Sequence, residues 1–373
     1  MERVLVTGGA GFIGSHLVDA LLDRGAEVTV LDNLDPQVHG PNRETPEHLS
    51  RHARFIRGDV RDPETLWGCL SRADVVFHLA AAVGVSQSMY QVSHYASVNC
   101  QGTAELLELL ANRPHSVRKL VVASSMSIYG EGAYRCPRCG PMEPELRTEE
   151  RLAASRWEAA CPDCGEELLP APTPEGKGLR PGSVYAITKK DQEEMCLCVG
   201  RAYGVPTVAL RFFNAYGPRQ SLSNPYTGVA AIFCSRAING RPPLVYEDGL
   251  QMRDLVHVGD VVQAGLLAMD SSATNYGVFN VGSGHAQSVL EIASRICREV
   301  GPPGLLPEVT GRYRLGDVRH CYPDMTRLQA LGYSPRMGFD EGMRELAEWV
   351  RAQEAEDRLE EMLSDMERRG LVR

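Results

Sequence analysis

The sequence has no apolar run long enough to cross a bilayer. Its longest, Val75 to Val85, is interrupted by His78, whereas a spanning helix needs about 20 residues. No membrane partner is therefore expected. An excess of positive charge is also missing. Thirty-nine lysines and arginines stand against 48 aspartates and glutamates, a net charge of −9, which argues against the basic face of a general nucleic-acid binder. A few local arginines can still hold the phosphates of a small anionic molecule. No internal repeat is visible, and no leader pattern precedes the strand-like opening Met1-Glu-Arg-Val-Leu-Val, so a cytoplasmic protein is expected.

What is present suits a soluble globular chain. Hydrophobic residues make up 43% and charged residues 23% of 373, enough for a sizeable core and for two lobes. Short apolar runs at Val4–Thr7, Glu27–Leu31, Arg54–Arg57, Asp74–Leu79 and Lys119–Ala123 alternate with helical patterns such as Ile13–Arg24 and Gln101–Ala111. That alternation predicts an α/β fold built on a doubly wound parallel sheet. The pattern divides into a first lobe over residues 1–210 and a smaller lobe over 211–350, partly interleaved with the first. An excursion over 132–180 interrupts the first lobe, and a charged C-terminal helix over 351–373 reads as a solvated surface element.

Thr7-Gly-Gly-Ala-Gly-Phe-Ile-Gly14 directly follows the first strand and opens the first helix. Gly8 permits the tight turn, Gly11 lets backbone amides approach a pyrophosphate, and Gly14 allows close helix–strand packing. Asp32 ends the second strand, where a carboxylate accepts hydrogen bonds from both adenosine ribose hydroxyls. It would repel a 2′-phosphate, and no arginine follows to take one, which favours NAD over NADP. Gly58-Asp59-Val60 after the third strand is placed to meet adenine, and Leu79-Ala80-Ala81 ends the fourth with the small residues that close cofactor approach needs.

Tyr185-Ala-Ile-Thr-Lys189 puts a phenol and an ammonium on one helix face. A free tyrosine titrates near 10. A neighbouring ammonium and a positive nicotinamide favour the phenolate, which makes the group a general base. The spacing alone occurs in many helices. Here Ser124-Ser125 after the fifth strand brings a hydroxyl that can bridge substrate and phenol.

Together the glycine turn, Asp32, Ser125, Tyr185 and Lys189 resemble the extended short-chain dehydrogenase/reductases, and within them the nucleotide-sugar epimerase/dehydratase group. Further matches are Leu210-Arg-Phe-Phe-Asn214-Ala-Tyr-Gly-Pro218, Asp248-Gly-Leu-Gln-Met-Arg253-Asp254 and Arg314-Leu-Gly-Asp317. The resemblance covers about residues 1–350 apart from the excursion. It implies a Rossmann-type first lobe holding NAD tightly, with Phe12, Ile13, Asn33, Asn99, Ser124 and Phe213 among the cofactor contacts. It also implies that Ser125, Asn214, Arg253, Arg314 and Asp317 bind a dTDP- or UDP-linked sugar. A homodimer through the helix bearing Tyr185 is a further implication.

The implied mechanism has Tyr185 remove a proton from a sugar hydroxyl while hydride leaves the same carbon for NAD+. Lys189 orients the nicotinamide ribose and keeps Tyr185 ionised, and Ser125 hydrogen-bonds the reacting oxygen. The keto sugar then turns over and takes the hydride back on its other face. In the 4,6-dehydratases the Ser/Thr is followed by an Asp-Glu pair, at the positions of Met126 and Ser127. Decarboxylases of the group keep a glutamate at the second of these, and 3,5-epimerases a cysteine. Neither Met126 nor Ser127 can replace those groups, so 4-epimerisation remains.

Leu31-Asp-Asn-Leu-Asp-Pro-Gln-Val-His-Gly40, Ser124-Ser-Met-Ser-Ile-Tyr-Gly-Glu-Gly132 and the excursion are similar to dTDP-L-rhamnose 4-epimerases. Val83, Val85, Met89 and Met126 either line an apolar wall for a 6-deoxy methyl group or belong to the core. Cys321 matches a position that gates bulk at C2 in UDP-hexose 4-epimerases. The expected reaction is dTDP-L-rhamnose to dTDP-6-deoxy-L-talose. Alternatives are a UDP-glucose or other UDP-hexose 4-epimerase, a 4-ketosugar reductase on the same scaffold, and an NAD-sensing binding protein. Intact Tyr185, Lys189 and Ser125 speak against the sensor.

Cys136-Pro-Arg-Cys139-Gly and Cys161-Pro-Asp-Cys164-Gly are two matching knuckles among 11 cysteines. Each offers two thiolates, and two knuckles complete a tetrahedral four-sulfur site for structural zinc in a ribbon-like module. A redox pair would not explain why the knuckle occurs twice. Standing between Ser125 and Tyr185, the module is expected beside the active-site mouth as a lid or specificity wall. The other seven cysteines read mostly as small core residues.

Overall fold

Runs of valine and leucine with no alternating polar position suit strands covered on both faces. In the computed structural model, which describes residues 1–373, they form β1 (Arg3–Thr7), β2 (Glu27–Asp32), β3 (Arg54–Arg57), β4 (Val75–His78) and β5 (Lys119–Ser125). Strands Thr207–Phe212 and Val278–Val281 extend the sheet. Its order is Val278–Val281, Thr207–Phe212, β5, β4, β1, β2, β3, parallel throughout.

Helix α1 (Phe12–Asp23) and helix Val258–Asp270 cover one face with a core that includes Leu17, Leu21, Phe77 and Val261. Helices Pro63–Leu70, Gly102–Asn112 and Val184–Tyr203 cover the other around Leu66, Leu106, Val122 and Cys196. The strand order reverses between β1 and β4, which opens a crevice at their carboxyl ends.

Helices Val229–Ile238, Val289–Val300 and Phe339–Arg351 bury Cys234, Ile292, Ile296, Leu346 and Val350 against one another in a second core. The middle one starts at a reciprocal cap between Ser288 and Glu291. The second-half residues are thus shared: some build this core, while Val258–Asp270 and Val278–Val281 join the first sheet.

The excursion makes its own antiparallel sheet. Ala133–Cys136 pairs with Gly140–Met142 on one side and Leu169–Ala171 on the other. Tyr134, Ala159 and Leu168 form a small core there with Cys136 and Cys161. Of the remaining seven cysteines, Cys69, Cys196, Cys234, Cys297 and Cys321 are buried, while Cys198 is exposed.

The tail departs from the sequence expectation. It is not one solvated helix: Phe339–Arg351 ends in a turn, and a separate helix follows at Leu359–Arg368. Leu359, Met362, Leu363 and Met366 bury a stripe against Tyr226, Leu244 and Tyr246. The 3–4 residue period of those four is amphipathic, and the dense charge around them masked it. No helix is long and apolar enough to cross a membrane.

Candidate active site

A cavity of about 840 Å³ opens at the carboxyl ends of β1, β2, β4 and β5 and continues to the second core. Its first half is the glycine turn. Gly8 has φ +71°, and a side chain there would press on the Ala80 backbone nitrogen at 2.8 Å. A Cβ at Gly14 would collide with the Gly8 carbonyl. Gly11 caps α1 without any side-chain hydrogen bond, so the first-turn amides face the cavity as donors for an anion. Phe12, Ile13, Asp59, Val60, Leu79, Ala80 and Ala81 line the same half. This cradle fits a dinucleotide.

Asp32 accepts from the backbone amides of Ala10 at 3.1 Å and Leu34 at 2.9 Å. Leu34 takes a left-handed φ of 53° to make that turn. Arg43, which the fold brings to this loop, donates to the Asn33 and Leu34 carbonyls at 2.8 and 3.0 Å. Its guanidinium is thereby occupied on backbone. Asp59 pairs with Arg61 at 2.7 Å and accepts from Asn33 at 3.0 Å, and the Arg61 hydrogen bonds hold its carboxyl well below the usual range.

Asn99, expected among the cofactor contacts, has its side-chain amide engaged by the protein itself. It is fully buried and does not line the cavity. Its amide clamps the Ala82 backbone at 2.7 and 3.1 Å and donates to Thr188 at 2.9 Å. It ties the cavity wall to the helix that carries Tyr185, from inside a π-helical turn at Ala96–Gln101.

That helix begins where the Ser183 hydroxyl accepts from the Ala186 amide at 3.1 Å, which places Tyr185 and Lys189 in its first two turns, both lining the cavity. Tyr185 stands edge-on to Tyr95 with ring centroids 6.4 Å apart. Burial pushes its phenol up, and the Ser125 hydroxyl pulls it down. Ser125 Oγ in turn accepts from the Ser127 hydroxyl at 2.9 Å and the Ser127 amide at 3.2 Å. Two donors on Ser125 leave its own proton free for another acceptor. Lys189 donates to Gln192 at 2.8 Å, and Gln192 to Thr103 at 2.7 Å. Burial lowers the Lys189 ammonium to about 8. Ser124 donates to Glu193 at 2.6 Å, itself paired with Arg211 at 2.5 Å.

The second half of the cavity holds Phe213, Asn214, Arg253, Arg314 and Asp317. Arg253 donates to the carbonyls of Val318 at 2.5 Å and Arg319 at 2.9 Å, with Asp317 at 3.9 Å. The Arg314 guanidinium lies 4.1 Å over the Tyr246 ring. Asn214 Oδ1, Tyr246 OH, Gln251 Oε1 and Arg314 Nε are buried without partners, and all four residues line this cavity. Buried polar atoms are rarely left unmet, so their concentration here marks a ligand site.

Val83, Val85 and Met89 are 51, 47 and 44% exposed and line the cavity with Met126. They form a wall, not core. Cys321 does the reverse: it is buried beside Tyr129 and Phe213 and does not reach the cavity. The sequence reading missed Tyr246 and Gln251, and also Leu359, Met362, Met366 and Leu371 of the tail, all of which line it. The apolar period of the tail was the signal available.

None of residues 132–180 lines the cavity, so the excursion is neither lid nor wall. Its four cysteine sulfurs lie within 4.8 Å of one another, Cys136 and Cys164 at 3.5 Å. Tetrahedral thiolates bound at about 2.3 Å stand roughly 3.8 Å apart, so the donor set of Cys136, Cys139, Cys161 and Cys164 fits a metal ion.

Comparison with known proteins agrees with this geometry. The family model described as the NAD dependent epimerase/dehydratase family matches residues 4–155 and 162–282. The dTDP-L-rhamnose 4-epimerase of Burkholderia thailandensis is 36% identical, with 94% of this chain and 95% of that protein aligned. The crystal structure of Thermotoga maritima UDP-glucose 4-epimerase with UDP-glucose matches at TM-score 0.75 and 31% identity, covering 94% of this chain and 99% of that one. The Thermus thermophilus UDP-glucose 4-epimerase complex with NAD matches at TM-score 0.72 and 34% identity, covering 94 and 100%.

Proposed function

The chain belongs to the NAD-dependent epimerase/dehydratase family, and from that premise we propose an isomerase, a nucleotide-sugar 4-epimerase that keeps its NAD through turnover and converts dTDP-L-rhamnose to dTDP-6-deoxy-L-talose. The observation that carries it is Ser125, Tyr185 and Lys189 on one cavity wall with Met126 and Ser127 where an eliminating acid pair would stand. The apolar wall of Val83, Val85, Met89 and Met126 favours a 6-deoxy sugar.

Bound NAD supplies a hydride acceptor that returns the same hydride. The chain does the rest. Ser125, its lone pairs filled by Ser127, presents its proton to the oxygen of the reacting sugar carbon. Tyr185 takes the hydroxyl proton as the carbonyl forms and gives it back after the sugar has turned. Lys189, held by its hydrogen bond to Gln192, favours the Tyr185 phenolate by its charge. Asn214, Arg253 and Arg314 hold the nucleotide diphosphate as the keto sugar rotates. Cys136, Cys139, Cys161 and Cys164 hold a structural zinc ion, closed to chemistry because four thiolates leave no open position. The exposed Ile187 and Tyr203 on helix Val184–Tyr203 suit the outer face of a homodimer.

Proton NMR of the purified protein with dTDP-L-rhamnose and UDP-glucose, without added nicotinamide, tests this. A C4 epimer of the rhamnosyl nucleotide is expected. Turnover of UDP-glucose alone moves the assignment to a UDP-hexose 4-epimerase, and turnover of neither overturns it.

A further inference from the structure

The buried edge of the excursion points at one segment, residues 313–322, which carries Arg314 and Asp317 into the cavity. Arg147, its side chain 1% exposed, donates to the Asp317 carbonyl at 3.1 Å and forks onto Glu247 at 2.8 and 2.9 Å. Glu158 accepts from Arg319 at 2.6 Å and meets His320 at 2.8 Å. Arg319, fully buried, also reaches Glu247 at 3.0 Å and Asp248 at 2.6 Å. Glu131, at the root of the excursion, accepts the Arg319 amide at 2.9 Å. Farther on, the Thr173 amide donates to the Tyr322 carbonyl at 2.8 Å.

Charges removed from water are satisfied in few geometries, so this network holds the segment in one register. Arg253 grips the same segment from the cavity side through Val318 and Arg319. Between Glu143 and Ala160 the only helix is the short Glu149–Ala153. Glu158 is held on its backbone by Arg151, which donates to its carbonyl at 2.6 Å, and by its neighbour Ala159, packed in the small core of Cys136 and Cys161. The chain of contact therefore runs from thiolates to Ala159, to Glu158, to Arg319 and His320, and so to Asp317.

We propose that the excursion is a brace acting from behind the cavity. Arg147 and Glu158 are positioning residues for the segment 313–322, and the four-cysteine cluster holds them in place, so that its integrity sets affinity for the nucleotide diphosphate and leaves the hydride chemistry untouched. This rests on reading the second half of the cavity as the nucleotide-sugar site.

The test compares the zinc-loaded wild type with Glu158→Gln and Cys164→Ser. Calorimetry measures dTDP and UDP binding, extraction measures retained NAD, and kinetics separate KM from kcat. Nucleotide binding is expected to weaken roughly tenfold or more, as small misplacements of gripping groups do, with KM rising in parallel and kcat and NAD content unchanged. If Cys164→Ser does not fold, Glu158→Gln decides. Nucleotide affinity equal to wild type in folded Glu158→Gln, or a joint loss of NAD and kcat, overturns the brace. Calorimetry with dTDP needs no turnover, so a wild type that binds dTDP but epimerises no sugar ends the proposed reaction and leaves the brace to be judged on binding.

Discussion

The excursion and the C-terminal tail grip the same segment from opposite ends, yet only one of them reaches the cavity. Arg147, Glu158 and Thr173 hold residues 317–322 without lining it. The tail pairs Arg373 with Tyr313 through backbone bonds of 2.9 and 3.0 Å, and lays Leu359, Met362 and Met366 along the cavity wall. The excursion works through buried charge and the tail through buried apolar surface. Charge sets one geometry and is intolerant of a missing partner, whereas apolar contact is graded and adaptable, most of all with methionine.

That contrast can be broken experimentally. The largest effect is expected from Arg319→Met, which removes a fully buried guanidinium shared by Glu158, Glu247 and Asp248 and leaves only Arg147 on Glu247 and His320 on Glu158. A loss of about 3–5 kcal/mol in denaturant unfolding is expected. A loss below about 1 kcal/mol would mean that the network carries no structural burden. Met366→Ala in the tail should cost less, about 2 kcal/mol, and unlike the charge deletion should also alter the relative affinities for dTDP and UDP. If calorimetry shows their ratio unmoved, the tail is packing alone.

The smallest difference, none, is expected in the alkaline limb of turnover. Burial holds Lys189 at about 8, below its unfolded value near 10.4. Its ammonium is lost as pH rises through 8, so kcat falls there. Stability moves the other way, rising from pH 8 to about 10.4, because over that range the unfolded chain binds the extra proton. Tail and excursion variants should share this limb with wild type. A pH–rate profile shifted in either would place that region in contact with the reacting groups.

Glu158 adds an acid counterpart on the excursion alone. Burial pushes its carboxyl up, but the hydrogen bonds from His320 and Arg319 outweigh that and hold it at about 2. Its stabilising effect is complete above the unfolded value near 4.3 and fades as pH falls toward 2.

How much of this was legible depended on distance along the chain. The turn from Gly8 to Gly14 and the i,i+4 pair Tyr185 and Lys189 are local, and each was placed correctly on strand end or helix. The two cysteine knuckles came together because each carries its own turn. The clamp of Asn99 on Ala82 and Thr188 was not legible, because those partners lie 17 and 89 residues away and nothing local to Asn99 names them. The burial of Cys321 against Tyr129 and Phe213 was hidden for the same reason, both neighbours being remote in sequence.

By itself the sequence determined the parallel sheet, the dinucleotide turn, the Tyr185 and Lys189 pair on one helix and each of the two cysteine knuckles, since hydrophobic period, glycine turns and short motif spacings are all written within about 20 residues. Only the tertiary structure decided what the excursion and the tail are for. Glu131 and Arg319 lie 188 residues apart, and Arg147 and Asp317 lie 170 apart. Pairings at that range arise when the two lobes pack and water leaves between them, and no local pattern encodes which charges will be left to face each other.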